Sequence, residues 1–428
     1  MSKELLESFR EAYRNLELLP LLEHRELEKF KVEYATEVID QLEQLVEDSP
    51  SRDGKTIFTG HRGCGKSTLL AEFGKKLADN YFVVFFSISD TIEMSDVNHI
   101  NILFAIAVNL MYEAEKNQVQ ISPAIKNNFY KWFATKTRIE EEKFSAGLAA
   151  GFDLFKLISG KLKADAAVRH EIKQEFERKI SELCERINEI AALIQLDTDK
   201  DVLVIIDDLD KLDLARVNDI YRDNIKALCL PNFQIIYTIP IAVLRDKFLR
   251  PLIETETNDQ VVVMSVSKLF DKGESRKPDP VPRTQAMKVL LEVLNKRISG
   301  QLLEAQTAEK IILYSGGVLR ELVRITNACC RICLRLVRRL PEGESLTIND
   351  SILEEAINNI RNDFAIPLGK TDYEILQTTY NQFQPDDPKQ AEFLDLLHGL
   401  YALEYRNREN WYDVHPIVID LLRDKGLI

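Results

Sequence analysis

Apolar and polar positions divide the chain into strand-like and helix-like segments. Five short runs centre on apolar residues, and the run 81–88 is apolar almost throughout, a pattern typical of strands buried in a parallel sheet. Between them, Leu, Ile and Val recur three or four residues apart, which indicates helices with one buried face. The predicted strands span residues 55–59, 81–88, 201–206, 232–239 and 260–266. This alternation predicts an α/β fold in which helices cover a parallel sheet on both faces, giving three layers.

The same pattern predicts the organisation of the whole chain. A linker rich in Pro, Lys and Asp, residues 271–282, separates the strands from a long helical region. Such composition favours an irregular connection between folded parts. The predicted segments are N-terminal helices (1–50), a P-loop core (51–270) with a helical insertion (about 100–198), a helical lid (283–365) and a winged-helix-like C-terminal module (366–428).

Some local patterns are specific enough to predict single elements. Residues 163–195 predict one long charged helix, and residues 214–228 predict a shorter one. Alternation across residues 402–414, with polar residues at 407–410, predicts a hairpin and favours a winged-helix module. Small residues four apart within 145–152 are followed at once by charged residues, which favours tight packing of a soluble helix over a membrane contact.

One glycine-rich segment has recognisable chemistry. Gly60, Gly65, Lys66 and Ser67 follow the first predicted strand in a Gly-x-x-x-x-Gly-Lys-Ser pattern and precede an amphipathic helix. Glycines let backbone N–H groups wrap around phosphate oxygens, the lysine adds positive charge, and the serine hydroxyl reaches Mg²⁺. The predicted ATP-binding residues are Gly60, His61, Arg62, Gly63, Cys64, Gly65, Lys66, Ser67 and Thr68.

A cluster of carboxylates ends the third predicted strand. Asp207, Asp208 and Asp210 follow the apolar run 202–206. We predict that Asp207 binds Mg²⁺ together with Ser67, because a carboxylate at a strand end is a hard oxygen ligand for this ion. Asp208 is the candidate to orient or deprotonate the attacking water. The alternative is that Asp208 or Asp210 caps the following helix, and we expect capping to be the main role of Asp210.

The loop, the Asp-Asp-x-Asp strand end and the later helical region resemble the additional-strand P-loop ATPases, AAA+ and STAND, over about residues 30–345. The resemblance implies ATP hydrolysis with Mg²⁺ and assembly into oligomers. It implies that Thr238, at a strand end, senses the γ-phosphate, although a Thr with an internally satisfied hydroxyl is the alternative. Arg320 matches the lid arginine of origin-recognition ATPases, which contacts nucleotide. Arg245 and Arg250 are candidates to reach a neighbouring subunit, the alternative being surface solubility.

The sequence also departs from these families. Asp208 stands where AAA+ enzymes have Glu, so we expect hydrolysis to be slow, as suits a switch. A Gly-x-Pro signature typical of STAND lids is absent from the sequence, and the insertion at about 100–198 is unusually large. The subfamily therefore stays open between the two.

Composition narrows the classes of protein. The net charge of −13 argues mildly against a nucleic-acid partner, since nucleic acid repels an acidic surface. No apolar run approaches the roughly 20 residues needed to span a membrane. Six scattered Cys residues without a secretory signal predict a reducing cytoplasm.

Two clusters on one predicted helix need interpretation. Arginines follow one face at a spacing of three, four or seven residues, either as a solvated lid face or as a contact to a phosphate backbone. Cys329, Cys330 and Cys333 lie in an apolar setting that favours buried thiols over zinc. The arginines are Arg320, Arg324, Arg331, Arg335 and Arg338, with Arg339 beside them.

The resulting prediction is an ATP-binding and ATP-hydrolysing switch that uses Mg²⁺ and controls assembly with a protein partner. By analogy with similar ATPases, it acts in bacterial stress signalling or antiviral defence. One alternative is a DNA-associated AAA+ ATPase that loads or regulates a replication or transposition complex. Another is a nucleotide-binding scaffold without turnover.

Overall fold

The computed structural model of the chain describes residues 2–49, 51–139, 154–341, 343–406 and 409–428. Residues 145–152 and 407–408, which include the small-residue run and part of the predicted hairpin turn, lie outside the described residues. The chain forms two compact units. The first comprises Met1–Thr36, Gly60–Thr68 and Val263–Ile428, and the second comprises Glu37–Thr59 and Leu69–Val262. No helix among the described residues is both long and apolar enough to cross a membrane.

Helices dominate the described residues, and seven strands accompany them. The helices are α1 (Ser2–Asn15), α2 (His24–Phe30), α3 (Thr36–Glu47), α4 (Lys66–Leu77), α5 (Ile88–Thr91), α6 (His99–Lys116), α7 (Pro123–Lys136), α8 (Leu154–Ala164), α9 (Ala166–Phe176), α10 (Ile180–Thr198), α11 (Leu214–Val217), α12 (Ile225–Leu228), α13 (Leu249–Glu256), α14 (Thr284–Asn295), α15 (Ala305–Tyr314), α16 (Leu319–Val337), α17 (Asp350–Ala365), α18 (Lys370–Gln382), α19 (Ala391–His398) and α20 (Pro416–Asp424). The strands are β1 (Lys55–Gly60), β2 (Tyr81–Ser87), β3 (Asp201–Asp207), β4 (Gln234–Pro240), β5 (Val261–Met264), β6 (Ala402–Arg406) and β7 (Asn410–Val414).

The five predicted strands form one parallel sheet in the order β2-β3-β4-β1-β5, which confirms the predicted fold class. Residues Val202 to Ile206 of β3 are fully buried, because helices cover both faces of the sheet. In the register of the sheet, Ser87 of β2 lies opposite Asp207 of β3. The ends of these two strands therefore place polar side chains beside one another at one edge.

Two helices predicted as continuous are interrupted in the structure. The charged region 163–195 is divided among α8, α9 and α10. Helix α9 starts anew because Asp165 turns its carboxylate onto the N–H groups of Ala167 and Val168 (3.0 and 3.3 Å).

The second interruption separates α11 from α12. A π-helical turn, Asn218–Arg222, lies between them, and the Asn224 side chain donates to the carbonyl of Asp219 (2.8 Å). Such side-chain bonds to the backbone compete with regular helical bonding. Helix α11 is capped by Asp213, whose carboxylate accepts the N–H of Arg216 (2.8 Å), so the capping role predicted for Asp210 was wrong.

The first unit contains the long helix α16 and the C-terminal hairpin. Helix α1 packs against α16, and the Asn327 side chain donates to the carbonyl of Leu16 (3.0 Å). Strands β6 and β7 pair antiparallel, as predicted for this hairpin, and Tyr405 stacks on Trp411 with 4.5 Å between ring centroids. The hairpin and helices α18 to α20 share a buried apolar core.

Candidate functional site

The glycine-rich loop between β1 and α4 has the backbone conformation that its glycines permit. Gly63 and Gly65 have φ angles of +76° and +100°, in the left-handed region that favours glycine. Each is also tightly covered by another segment of the first unit. A Cβ atom at Gly63 would collide with the side chain of Arg320, and one at Gly65 would collide with the hydroxyl of Tyr34. Both glycines are therefore required by shape as well as by φ.

Lys66, the first residue of α4, turns its side chain back onto the loop. Its ammonium group donates to the carbonyls of Gly60 (2.9 Å) and His61 (2.7 Å), and it also lies 4.0 Å from the sulfur of Cys64. The Lys66 side chain is buried. This places a positive charge inside the curve of the loop, where phosphate oxygens are attracted.

Three other donors fix the outside of the loop. The N–H of Arg320 donates to the carbonyl of Gly63 (2.9 Å), and the Tyr34 hydroxyl donates to the carbonyl of Gly65 (3.0 Å). The hydroxyl oxygen of Thr68 accepts the N–H of Leu21 (3.0 Å). With these carbonyls turned outward, the loop keeps the shape in which a nest of N–H groups binds an anion.

His61 links the loop to the C-terminal hairpin. Its ring is fully buried, and its Nε2 atom accepts the backbone N–H of Glu404 (2.8 Å), on β6. Cys64 is also buried, whereas Arg62 and Ser67 are half-buried. The contacts from Leu21, Tyr34 and Glu404 had no signal in the sequence, because they use backbone atoms or a common Tyr far from the loop.

The predicted carboxylates form a compact buried cluster in the second unit. Asp207, Asp208 and Asp210 each offer an oxygen atom, and these atoms all lie within 4.8 Å of one another. Asp207 ends β3, while Asp208 adopts a left-handed conformation with φ of +71° that turns the chain sharply. Grouped carboxylates are hard oxygen ligands, so the donor set suits a divalent cation such as Mg²⁺.

Asp208 is bound on both of its oxygens. The hydroxyls of Ser87 and Ser89 donate to Oδ2 (2.7 and 2.8 Å), and the Lys211 ammonium contacts Oδ1 (2.5 Å). Burial alone would raise the pKa of Asp208, but the hydrogen bonds from Lys211, Ser87 and Ser89 lower it below its ordinary value. The group is held as a carboxylate in a fixed orientation.

The sequence prediction missed Ser87, Ser89 and Lys211. The only signal for Ser87 and Ser89 was a polar ending to the apolar run of β2, which is next to β3 in a sheet of this type. Sequence alone does not give this neighbourhood, because residues 87 and 208 are separated by the whole helical insertion.

Thr238, on β4, bonds to the end of β3 and to the turn that follows it. The Thr238 hydroxyl donates to the carbonyl of Ile206 (3.0 Å) and accepts the N–H of Leu209 (3.1 Å), so it fixes the turn that contains Asp208. Arg245 is buried, and Arg250 forms an exposed ion pair with Glu254 (2.7 Å).

The arginine cluster and the cysteine cluster on α16 differ in their exposure. Arg324 is half-buried against Glu321 (2.8 Å), whereas the other five arginines, including Arg320, are exposed at their side chains. Cys329, Cys330 and Cys333 are buried, and burial raises the pKa of the Cys333 thiol to about 12. A buried thiol of this kind stays protonated and unreactive.

The loop fits the phosphates of a nucleotide, and the carboxylate cluster, by itself, suits a divalent cation such as Mg²⁺. The loop encloses the Lys66 ammonium and requires glycine at positions 63 and 65, as a cradle for phosphate does. A parallel sheet with such a loop between β1 and α4 defines a P-loop NTPase domain. The nucleotide-binding class is therefore supported by shape and by the chemistry of the donors.

Comparison with known proteins agrees with this class. Residues 35–236, just under half of the chain, match the model of the KAP family P-loop domain. No curated protein matches the sequence significantly.

Three solved structures resemble the chain over nearly its full length. They are Cdc6p from Pyrobaculum aerophilum (13% identity, TM-score 0.40, 97% of this chain and 98% of that chain), the Aeropyrum pernix ORC2 protein in ADPNP–ADP complexes (10% identity, TM-score 0.42, 98% and 99%) and the Aeropyrum pernix ORC1 protein in complex with DNA (12% identity, TM-score 0.41, 97% and 97%). All three scores are below 0.5, so the likeness carries no argument about function.

Proposed function

We propose that the chain is an ATP-driven switch that binds and slowly hydrolyses ATP with Mg²⁺ and thereby controls assembly with a protein partner. The observation that carries the proposal is the set of contacts on the phosphate loop. Tyr34, Arg320 and Glu404, from three segments far apart in the sequence, each bond to a residue of this loop. A change in the conformation of the loop on nucleotide binding would therefore alter its contacts with all three segments.

Each residue of the loop has a proposed role toward the nucleotide. Backbone groups of residues 60–65 would cradle the phosphates, with Lys66 adding charge at the β and γ phosphates. The Ser67 hydroxyl and Asp207 would hold Mg²⁺. Thr68, the residue after Ser67, would be the last of the nucleotide-binding residues. When bound, Mg²⁺ supplies positive charge that neutralises phosphate oxygens. The exposed side chain of Arg320 would approach the same phosphates.

Asp208 is proposed to orient the attacking water. Its carboxylate is held by Ser87, Ser89 and Lys211, so it would position the water in a fixed orientation. Slow hydrolysis is proposed because Asp208 stands where AAA+ enzymes have the longer Glu. Thr238 is proposed to sense the γ-phosphate indirectly, since its hydroxyl fixes the turn at Asp208.

The larger organisation is proposed on the sequence patterns. N-terminal helices (1–50), a P-loop core (51–270), a helical lid (283–365) and a winged-helix-like module (366–428) would move with the nucleotide state. We propose that the protein works in the cytoplasm as a homo-oligomer, with Arg245 or Arg250 reaching a neighbouring subunit. A role in bacterial signalling or antiviral defence follows by analogy with similar ATPases.

Phosphate release tests the proposed hydrolysis. The wild type with MgATP should release phosphate steadily, and Lys66→Ala and Asp207→Ala should each lower the rate by about 100-fold or more. Lys75→Ala, an exposed change on the same helix as Lys66, should leave the rate unchanged. Equal background release from the wild type and both variants would instead support a scaffold without turnover.

A DNA-associated function is the second candidate, and the exposed arginines of α16 favour it. Arg331, Arg338 and Arg339 lie on the surface of an otherwise acidic protein. Against it, residues 368–428 contain six Lys or Arg and eleven Asp or Glu. A salt-dependent shift of a labelled duplex in the presence of ATP, lost on changing these arginines to Gln, would support this function. Absence of binding at low salt would remove it.

A further inference from the structure

The outer edge of the C-terminal hairpin faces the phosphate loop. Glu404 of β6 lies opposite Tyr412 of β7. Directly opposite residues in an antiparallel pair alternate between those that bond to each other and those whose N–H groups point outward. This pair is of the second kind, since the N–H of Glu404 donates to Nε2 of His61 and the N–H of Tyr412 donates to the carbonyl of Phe383 (2.9 Å). His61 thus occupies the edge of β6.

His61 bonds in two directions at once. Its ring accepts from Glu404, while its own carbonyl accepts the Lys66 ammonium (2.7 Å). Since Nε2 is an acceptor here, the neutral ring has its proton on Nδ1. The ring is fully buried, so a side chain that cannot accept a hydrogen bond would leave the N–H of Glu404 without this partner inside the protein. The hairpin edge and the phosphate-binding ammonium are joined through one residue.

The next residue of β6 supports the other side of the loop. The Tyr405 hydroxyl donates to the carbonyl of Gly316 (3.1 Å), in the turn that leads into α16. Gly316 and Gly317 both have positive φ, +60° and +84°. The second residue of α16, Arg320, then donates its N–H to Gly63 of the loop. The consecutive residues Glu404 and Tyr405 therefore support the loop at two places. Glu404 bonds to His61 directly, and Tyr405 acts on Gly63 indirectly, through the turn that leads into α16.

We propose that His61 is a positioning residue through which the C-terminal hairpin shapes the phosphate loop, so that hairpin docking and nucleotide binding strengthen each other. The inference rests on the proposed function, because it concerns the same nucleotide. Linkage requires the effect to be reciprocal: if the docked hairpin raises nucleotide affinity, bound nucleotide stabilises the docked hairpin by the same factor. The C-terminal module would then be the part of the switch that reports the nucleotide state.

Two variants of His61 separate positioning from simple packing. His61→Leu fills the space but cannot accept the N–H of Glu404, whereas His61→Gln places an amide oxygen near the position of Nε2. His415→Leu is the matched control. His415 is also fully buried in the first unit and accepts a backbone N–H, that of Ile417 (3.3 Å), but the bond lies at the start of α20. All variants are made in the full chain.

The measurements are the affinity for a fluorescent ATP analogue with Mg²⁺ and the deuterium exchange of residues 402–406 with and without that analogue. We expect His61→Leu to weaken binding about tenfold, His61→Gln to restore most of it, and His415→Leu to bind like the wild type per folded molecule. Nucleotide should slow exchange in 402–406 of the wild type and of His61→Gln, and have little effect in His61→Leu.

Different results would overturn different claims. If the wild type binds nucleotide but His61→Leu binds equally well, or exchange in 402–406 does not respond to nucleotide, the coupling is wrong and the proposed function stands. If His61→Leu and His415→Leu weaken binding equally, the effect of His61 is general destabilisation and the coupling is again wrong. If the wild type binds no nucleotide, the proposed function fails and this inference fails with it.

Discussion

The phosphate loop and the acidic turn after β3 are both polar, but they are held in different ways. The loop accepts bonds on its backbone carbonyls: those of Gly60 and Gly65 accept from the side chains of Lys66 and Tyr34, and that of Gly63 accepts the N–H of Arg320. The turn is fixed through side chains, with the hydroxyls of Ser87 and Ser89 on Asp208. The acceptors in the loop are backbone carbonyls, which every residue type has, whereas the acceptor in the turn is the carboxylate of one particular residue.

The largest expected effect is on the acidic turn. Asp208→Asn keeps the shape but removes the negative charge that would orient the attacking water, so turnover should fall by about 100-fold or more. Nucleotide affinity should change little, because the loop is intact. Asp213→Asn is the control, since Asn caps a helix as well as Asp does. Rates come from phosphate release, and an Asp208→Asn variant with wild-type turnover would remove Asp208 from the mechanism.

The next prediction concerns the loop. Gly63→Ala adds a Cβ at a positive φ and against the side chain of Arg320, so nucleotide affinity should weaken at least about tenfold. Gly160→Ala serves as the control, because its Cβ would meet nothing within 4 Å and helix α8 favours Ala. Equilibrium binding of a fluorescent ATP analogue gives both affinities. Wild-type affinity in Gly63→Ala would show that the loop binds nucleotide in a conformation other than the one described here.

A smaller effect is expected from the support of Asp208. Ser87→Ala removes one of two hydroxyls on Oδ2, so turnover should fall by about threefold to tenfold while Ser87→Thr keeps most of it. Ser181→Ala, an exposed change on α10, should have no effect. If steady-state rates of Ser87→Ala match those of the wild type, fixation by this side chain is unimportant and the contrast with the loop weakens.

The smallest effect on nucleotide chemistry should come from the linker. The Cζ atom of the Arg276 guanidinium lies over the rings of Phe383 and Tyr380, at 3.7 and 4.0 Å from their centroids. The Nη2 atom of Arg276 pairs with Oδ1 of Asp413 (2.5 Å). Arg276→Lys loses the planar stacking, so we expect about 1–2 kcal/mol lower stability in chemical denaturation and less than about a twofold change in turnover. Arg250→Lys, at an exposed ion pair, should alter stability by less than about 0.5 kcal/mol. An equal loss in both would contradict the role given to Arg276.

The sequence predicted what local patterns encode. The run of β3 and its terminal aspartates are continuous in the chain, and so are the glycines around Lys66; both could be identified from spacing alone. The break at Asp165 was missed because an Asp within a charged helical pattern does not reveal whether its carboxylate caps a new helix.

Contacts between residues far apart in the sequence could not be predicted from the sequence. Ser87 meets Asp208 only because β2 and β3 are neighbours in the sheet. Glu404 meets His61 through a backbone N–H, which leaves no trace in the type of residue. Such contacts depend on the tertiary fold, so propensity and spacing do not encode them.

Isothermal titration of the wild type with ATP, with and without Mg²⁺, tests the central claim most directly. The account predicts one binding event that is stronger with Mg²⁺, and a loss of the Mg²⁺ dependence in Asp207→Ala while weak ATP binding persists. Heat of binding that is absent in the wild type, or equally strong in Lys66→Ala, would contradict the claim that this loop is a nucleotide site.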